Sequence, residues 1–367
     1  MFRLSKIGLT LIVIVTVLAA CTMLQVPTAT LPAATPTPQD VASRIDAYLS
    51  DLAKEQSFSG SVLVAQDGKV LISKGYGLAN IENGVPNTPQ TRFRIGSMTK
   101  QFTAMAILML QAQDKLNVQD RICDHISDCP TAWQEITIHH LLTHTSGIPD
   151  SWRVFANRSK TDTPLAPSQI VALFKNEPLE FKPGQKASYR NEGYMVLGYL
   201  IEEVSGQSYE AFLQQHIFEP LKMMDTGYDH GNSHLAIGYE TYGIEADFTN
   251  MSIPYSSGGL YSTVEDLYLW DQALYTEQLV SKELLDTMFT PFVPIPSLGE
   301  MGYGYGWVIG EHLNRRVTAH EGKIDGFHAL IGRYPKDKVT IIVLSNQQDS
   351  DLFTIVTSTA ELVLKEE

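Results

Sequence analysis

Val41, Ile45, Leu49 and Leu52 recur at intervals of three and four, with mostly polar residues between them. That spacing places them on one face of an amphipathic helix. Two short apolar runs follow, at 61–65 and 70–73, joined by Asp67-Gly68. Asp-Gly between such runs is a hairpin signal, because both residues tolerate the positive φ of a tight turn. The stretch from Ser97 to about Gln113 is an apolar run of helical character. Further helices start near Ser168, Asn191 and Ser208, each headed by a residue suited to capping. Strand patterns return at 316–320, 327–334 and 339–344, and a last helix covers about 352–365.

Strands at both ends with helices between them predict one sheet assembled from the two ends of the chain. Hairpin connections make it antiparallel. The expected fold class is therefore α+β, a three-layer α/β sandwich. The terminal helices cover one face of the sheet and the Ser97 helix covers the other. The helical middle forms a second, mainly helical lobe, and the groove between the lobes is the expected site. No internal repeat interrupts this scheme.

The N-terminus has a different pattern. Arg3 and Lys6 precede an apolar run over residues 7–20. The run is short for a membrane-spanning helix, which needs about 20 residues, and suits a secretory signal peptide. It ends in Leu18-Ala19-Ala20-Cys21, which resembles a bacterial lipobox. A cysteine in that setting is lipidated and becomes the mature N-terminus; an ordinary signal peptide with a chance cysteine is the other reading. Residues 22–38 are rich in Pro, Thr and Ala, a composition that extends rather than packs. The expected organisation is a lipoprotein signal peptide over 1–21, a tether over 22–38 and one folded domain over 39–367. Such a protein is exported and held at the extracytoplasmic face of a bacterial membrane.

Composition narrows the function classes. A hydrophobic content of 44% in 367 residues permits a sizeable core. The net charge of -14 argues against a nucleic-acid partner, which needs a basic face. It also gives no electrostatic reason to lie on an anionic membrane, so attachment rests on the lipid at Cys21. Cys123 and Cys129 stand close together in a polar loop, and outside the cytoplasm such a pair tends to oxidise. A zinc site with His125 is the alternative, but it is one ligand short of a tetrahedron. His139, His140 and His144 also look like metal ligands, and His140 and His144 could share a helix face. They lack the Glu of a His-Glu-x-x-His metalloprotease. A structural role is expected for them, with no metal and no cofactor.

The chemistry begins at Ser97-Met98-Thr99-Lys100, the only Ser-x-x-Lys in the chain. Residues three apart share a helix face, so a hydroxyl and an amine meet one turn apart. Burial lets a lysine lose its proton, and a serine needs a base to take its own. Downstream stand Tyr189-Arg190-Asn191 and His320-Glu321-Gly322. In this order, Ser-x-x-Lys, Tyr-x-Asn and His-x-Gly resemble the family of class C β-lactamases, serine D-alanyl-D-alanine carboxypeptidases and related esterases and amide hydrolases. The stretches 136–149, 257–263 and 302–307 look like further hallmarks of it. The aromatics near Trp307 either line a groove or simply pack.

The resemblance implies a serine hydrolase acting on small ester, amide or peptide substrates through an acyl-enzyme. Ser97 would be the nucleophile, with Lys100 and Tyr189 sharing the general-base work. A tyrosine is a poor base unless cations lower its pKa; Lys100 and His320 are the candidates to supply that charge. Asn191 would hold Lys100 or a substrate amide. The backbone N–H groups of Ser97 and Lys323 would form the oxyanion hole, and Gly322 would leave room for substrate. Glu321 departs from the pattern of class C β-lactamases, which carry a hydroxyl there. If it faces the groove, its charge opposes a substrate carboxylate by about 4 kcal/mol at 4 Å and an effective dielectric near 20. That favours esters and amides over β-lactams. Strand alternation can equally turn Glu321 away. A β-lactamase, carboxypeptidase or penicillin-binding protein is the alternative, followed by a metal hydrolase or a non-catalytic surface lipoprotein.

Overall fold

The helix Thr99–Ala112 is buried around its whole circumference from Thr99 to Leu110. A helix that is apolar all round belongs at the centre of a core, and the fold is organised about it. The computed structural model describes residues 37–151, 154–155, 160–161, 163–231, 234–295 and 301–365. Residues 1–36, which carry the expected signal peptide, Cys21 and most of the tether, lie outside the described residues.

Among the described residues, the main sheet has eight antiparallel strands. Its junction is the pairing of Gly60–Gln66 with Val339–Ser345, in register from Gly60 opposite Ser345 to Gln66 opposite Val339. This joins the two ends of the chain as the hydrophobic pattern predicts. Lys69–Tyr76 extends the sheet on one side. Phe327–Tyr334, Arg315–Ile324 and Val308–His312 extend it on the other, ending in two very short strands, Gly302–Tyr303 and Val293–Pro294.

Side chains alternate strictly between two cores. Val62, Val64, Ile341 and Val343 join Ile45, Leu49, Leu352 and Ile355 beneath the two terminal helices, Pro38–Lys54 and Leu352–Leu364. Leu63, Ile342, Leu344 and Ile331 face Phe102, Met105 and Trp270 on the opposite side. With both faces covered, these strands are apolar at successive positions rather than alternating with polar ones. The second core continues into the helical region through Leu141, Val196, Leu197 and Leu200.

The helix predicted at Ser168 is Pro167–Ala172, which begins with Pro167 in its first turn. Ser208 caps Tyr209–Leu213 by accepting the Ala211 N–H at 3.2 Å. The helix predicted at Asn191 is Asn191–Ser205, but Asn191 does not cap it; Arg190 holds the cap position and no side chain caps there. Cys123 and Cys129 are bonded, with Cα atoms 5.3 Å apart, and both pack against the second core.

Candidate active site

Ser97 lies in a single 3-10 turn, Gly96–Met98, that runs directly into the central helix. Lys100, one turn on, is completely buried. Its Nζ is 2.9 Å from Ser97 Oγ, 2.8 Å from Asn191 Oδ1 and 2.8 Å from the carbonyl oxygen of Ser257. The ring centroids of Tyr189 and Tyr194 stand 5.0 and 5.6 Å from the same nitrogen. Burial pushes the Lys100 pKa down to about 7, and the neighbouring Glu192 carboxylate pulls it part of the way back. Asn191 can serve Lys100 because its side chain is not engaged in capping.

Tyr189 stands on the loop before the Asn191 helix, with the Ser97 side chain near enough to act on its hydroxyl. Burial of that end raises the phenol above its ordinary pKa, Ser97 pulls it back by less, and the Glu321 charge adds a small push upward. Close to half of the residue's surface is open, so water reaches the ring and limits the push. The direction is opposite to the sequence expectation of a Tyr189 poised as a base.

His320 also differs from expectation. Its Nδ1 donates to the Glu321 carbonyl oxygen at 2.6 Å, since a carbonyl can only accept. Nε2 is therefore the acceptor, and takes the Tyr303 hydroxyl at 2.9 Å. Burial, then the Lys100 charge, lowers the His320 pKa to about 4. His320 is neutral near pH 7 and supplies no cation to Tyr189. Their ring centroids lie 6.5 Å apart.

The strand carrying His320 meets the Ser97 turn backbone to backbone. A Cβ on Gly322 would come 1.9 Å from the Ile95 carbonyl oxygen, and one on Gly96 would come 2.8 Å from the Lys323 nitrogen. Gly96 also has φ +48°, a conformation that favours glycine. These two glycines bring the Lys323 N–H beside Ser97. Ser97, Asn191 and Lys323 line one cavity of about 230 Å³, walled by Phe155, Met195 and Ile253.

Glu321 points the other way. It stands opposite Leu330, a member of the core beneath the terminal helices, and its own largely exposed carboxylate places Oε1 2.7 Å from His328 Nε2. The expected repulsion of a substrate carboxylate in the groove has no geometric basis. His328 holds the Glu321 carboxyl below its usual range.

The three early histidines have separate duties. His139 Nδ1 is 2.7 Å from the Tyr305 hydroxyl, His140 Nδ1 accepts the Thr137 N–H, and His144 Nδ1 accepts the Arg190 N–H. The helix Ile138–Leu142 ends before His144, which has φ +59°. His140 and His144 therefore do not share a helix face. No group of three or more potential metal ligands occurs among the described residues.

Sequence reasoning named Ser97, Lys100, Tyr189, Asn191, His320, Gly322 and Lys323, and the structure brings them together. It missed Ser257, Glu192 and Tyr303. Ser257 and Tyr303 lie within the hallmark stretches 257–263 and 302–307, but a backbone carbonyl's role leaves no side-chain signal. The family model described as Beta-lactamase matches residues 45–363. The chain belongs to this family. It is 30% identical over 348 residues to Penicillin-binding protein 4* of Bacillus subtilis (strain 168), spanning 89% of this chain and 76% of that one. The octameric penicillin-binding protein homologue from Pyrococcus abyssi superposes with a TM-score of 0.79 at 30% identity, covering 89% of this chain and 78% of the other. D-amino acid amidase from Ochrobactrum anthropi SV3 shares the fold, with a TM-score of 0.76 at 22% identity over 88% of this chain and 99% of that one. Membership in the family and a penicillin-binding-protein fold make this chain a serine hydrolase of the peptidase/β-lactamase type. No helix among the described residues is long and apolar enough to cross a membrane.

Proposed function

We propose that Ser97 is acylated by an ester or amide carbonyl, with Lys100 as its base and Tyr189 as the proton donor to the leaving group. The observation that carries this is the set of partners around Lys100 Nζ. Asn191 Oδ1 and the Ser257 carbonyl are acceptors and take two N–H bonds. In the neutral amine, the remaining lone pair faces the Ser97 hydroxyl at 2.9 Å. As Oγ bonds to the carbonyl carbon, its proton passes to Nζ, and the oxyanion falls to the N–H groups of Ser97 and Lys323. One such donor is worth roughly 3 kcal/mol. Collapse breaks the bond to the leaving group, which takes a proton from Tyr189; Lys100 restores it. Water then cleaves the acyl-enzyme. A panel of p-nitrophenyl esters, D-amino-acid amides and a chromogenic cephalosporin, run beside Ser97→Ala, tests this reading. Turnover that survives in Ser97→Ala contradicts it.

A second reading is reaction with β-lactams or cell-wall peptides. Two observations favour it: Glu321 is turned away to His328, and a relative 30% identical to this chain bears the name of a penicillin-binding protein. Export and anchoring through a lipid on Cys21 complete the proposal, supported by the apolar run and lipobox-like Leu18-Ala19-Ala20-Cys21. Intact mass of membrane-extracted protein should show an N-terminus at Cys21 with added acyl chains. An unmodified cysteine there would remove the anchor.

A further inference from the structure

We infer that His144 is a positioning residue for Tyr189, holding its hydroxyl over Ser97; the inference rests on reading Tyr189 as the proton donor to the leaving group. His144 grips the chain on both sides of Tyr189. Its carbonyl oxygen accepts the Ser188 N–H at 2.8 Å, and its ring Nδ1 accepts the Arg190 N–H at 3.2 Å. Between these two bonds, the His144 ring stacks on the Tyr189 ring, with centroids 4.2 Å apart and planes inclined by 34°. Tyr194 and Tyr303 pack against the same imidazole at 5.2 and 4.7 Å. Arg190 is fixed from its other end by Glu180, whose carboxylate oxygens accept from its guanidinium at 3.1 and 3.0 Å.

Histidine is held here at a cost. Its φ of +59° lies in the left-handed region, which is uncommon for any residue with a side chain, though Asn, Asp and His enter it more often than the rest. Because Nδ1 accepts, the ring proton sits on Nε2, which is buried without a hydrogen-bond partner among the described residues. Strained backbone and an unpaired buried N–H persist where the surroundings enforce them, characteristically at functional sites. What the imidazole adds to the backbone bond at Ser188 is a hold on the Arg190 N–H and a ring plane against Tyr189, a site tyrosine that stands on a loop. An error of about 1 Å in placing a reacting group can cost 10²-fold in rate, so a half-exposed ring needs such a support.

The test uses His144→Ala and His144→Asn, alone and combined with Tyr189→Phe, on a D-amino-acid amide and on its p-nitrophenyl ester. Asn tolerates the left-handed backbone and offers an oxygen close to the Nδ1 position, so His144→Asn removes the stacking ring with the least risk to folding. An amine leaving group needs the Tyr189 proton, whereas p-nitrophenolate does not. Amide turnover should fall at least tenfold in both variants, with ester turnover within threefold of wild type. In the Tyr189→Phe background, neither substitution should lower amide turnover by more than about twofold. Equal loss on both substrates, undiminished amide turnover, or a full further loss in the Tyr189→Phe background would overturn the inference. If Tyr189→Phe alone fails to separate amide from ester, the reading of Tyr189 itself is what fails.

Discussion

Glu321 Oε1 lies 2.7 Å from His328 Nε2 on the face of the sheet opposite Ser97. The residue that distinguishes this chain's third motif therefore fastens two strands and turns its carboxylate away from Ser97, reaching Tyr189 and His320 through its charge alone. Glu321→Thr should leave the ratio of β-lactam acylation to ester turnover within about twofold of wild type. The variant should lose a pH-dependent contribution to stability instead. The folded-state pKa of Glu321 is depressed, so its contribution is present above the ordinary carboxylate range and lost as pH falls through the folded value. Thermal melts of both proteins from pH 7 down to pH 3 should converge at the acid end. A rise in penicillin acylation on substitution would place Glu321 in the groove after all.

Lys100 sets the alkaline dependence of activity. With a pKa of about 7, the reactive neutral amine grows in as pH rises through that value, so kcat/KM should climb to a plateau with a midpoint near 7. Lys100→Ala should cost 10²- to 10⁴-fold, the usual range for losing a general base. Stability carries the same signature. Between pH 7 and about 10.5, the unfolded chain binds a proton at Lys100 that the folded chain does not, so stability rises with pH across that window. Lys100→Met should be the more stable protein near pH 7, and its advantage should shrink towards pH 10.5. Denaturant titrations across this window measure the difference.

Gly322→Ala tests the backbone contact that shapes the oxyanion site. The new methyl group would meet the Ile95 carbonyl at 1.9 Å, a distance that the Ser97 turn can relieve only by moving. We expect kcat to fall 10²- to 10³-fold, comparable to the loss of one oxyanion donor. Substrate KM should change far less. A variant with unchanged kcat would show that the strand and the turn are not coupled.

The sheet and the site differed in how much of each was legible beforehand. The strands at 61–65 and 339–344 announce themselves as apolar runs, because both sheet faces are covered and few positions are left for polar side chains. The strands Gly302–Tyr303 and Val308–His312 do not, since the first is two residues long and surrounded by glycine and aromatics. At the site, Ser97 and Lys100 stand out by their spacing, and Asn191 joins them through the order of motifs that resembles the family. The protonation states of Tyr189 and His320 do not follow from either. They follow from burial and, for His320, from the Tyr303 hydroxyl that donates to it and the Glu321 carbonyl that accepts from it, groups which only the assembled fold brings within reach. The orientation of Glu321 depends on strand register, which one residue of slip would reverse.

The central claim is that Ser97 becomes acylated because Lys100 accepts its proton. Intact-mass spectrometry after brief exposure to a fluorophosphonate and to a fluorescent penicillin, followed by peptide mapping, tests it most directly. The wild-type domain should carry one fluorophosphonate adduct, on Ser97, and Ser97→Ala should carry none. Adduct formation should accelerate with pH through about 7 and slow by at least 10²-fold in Lys100→Ala. A fluorophosphonate adduct on another residue, or one that forms at the wild-type rate without Lys100, would contradict the account.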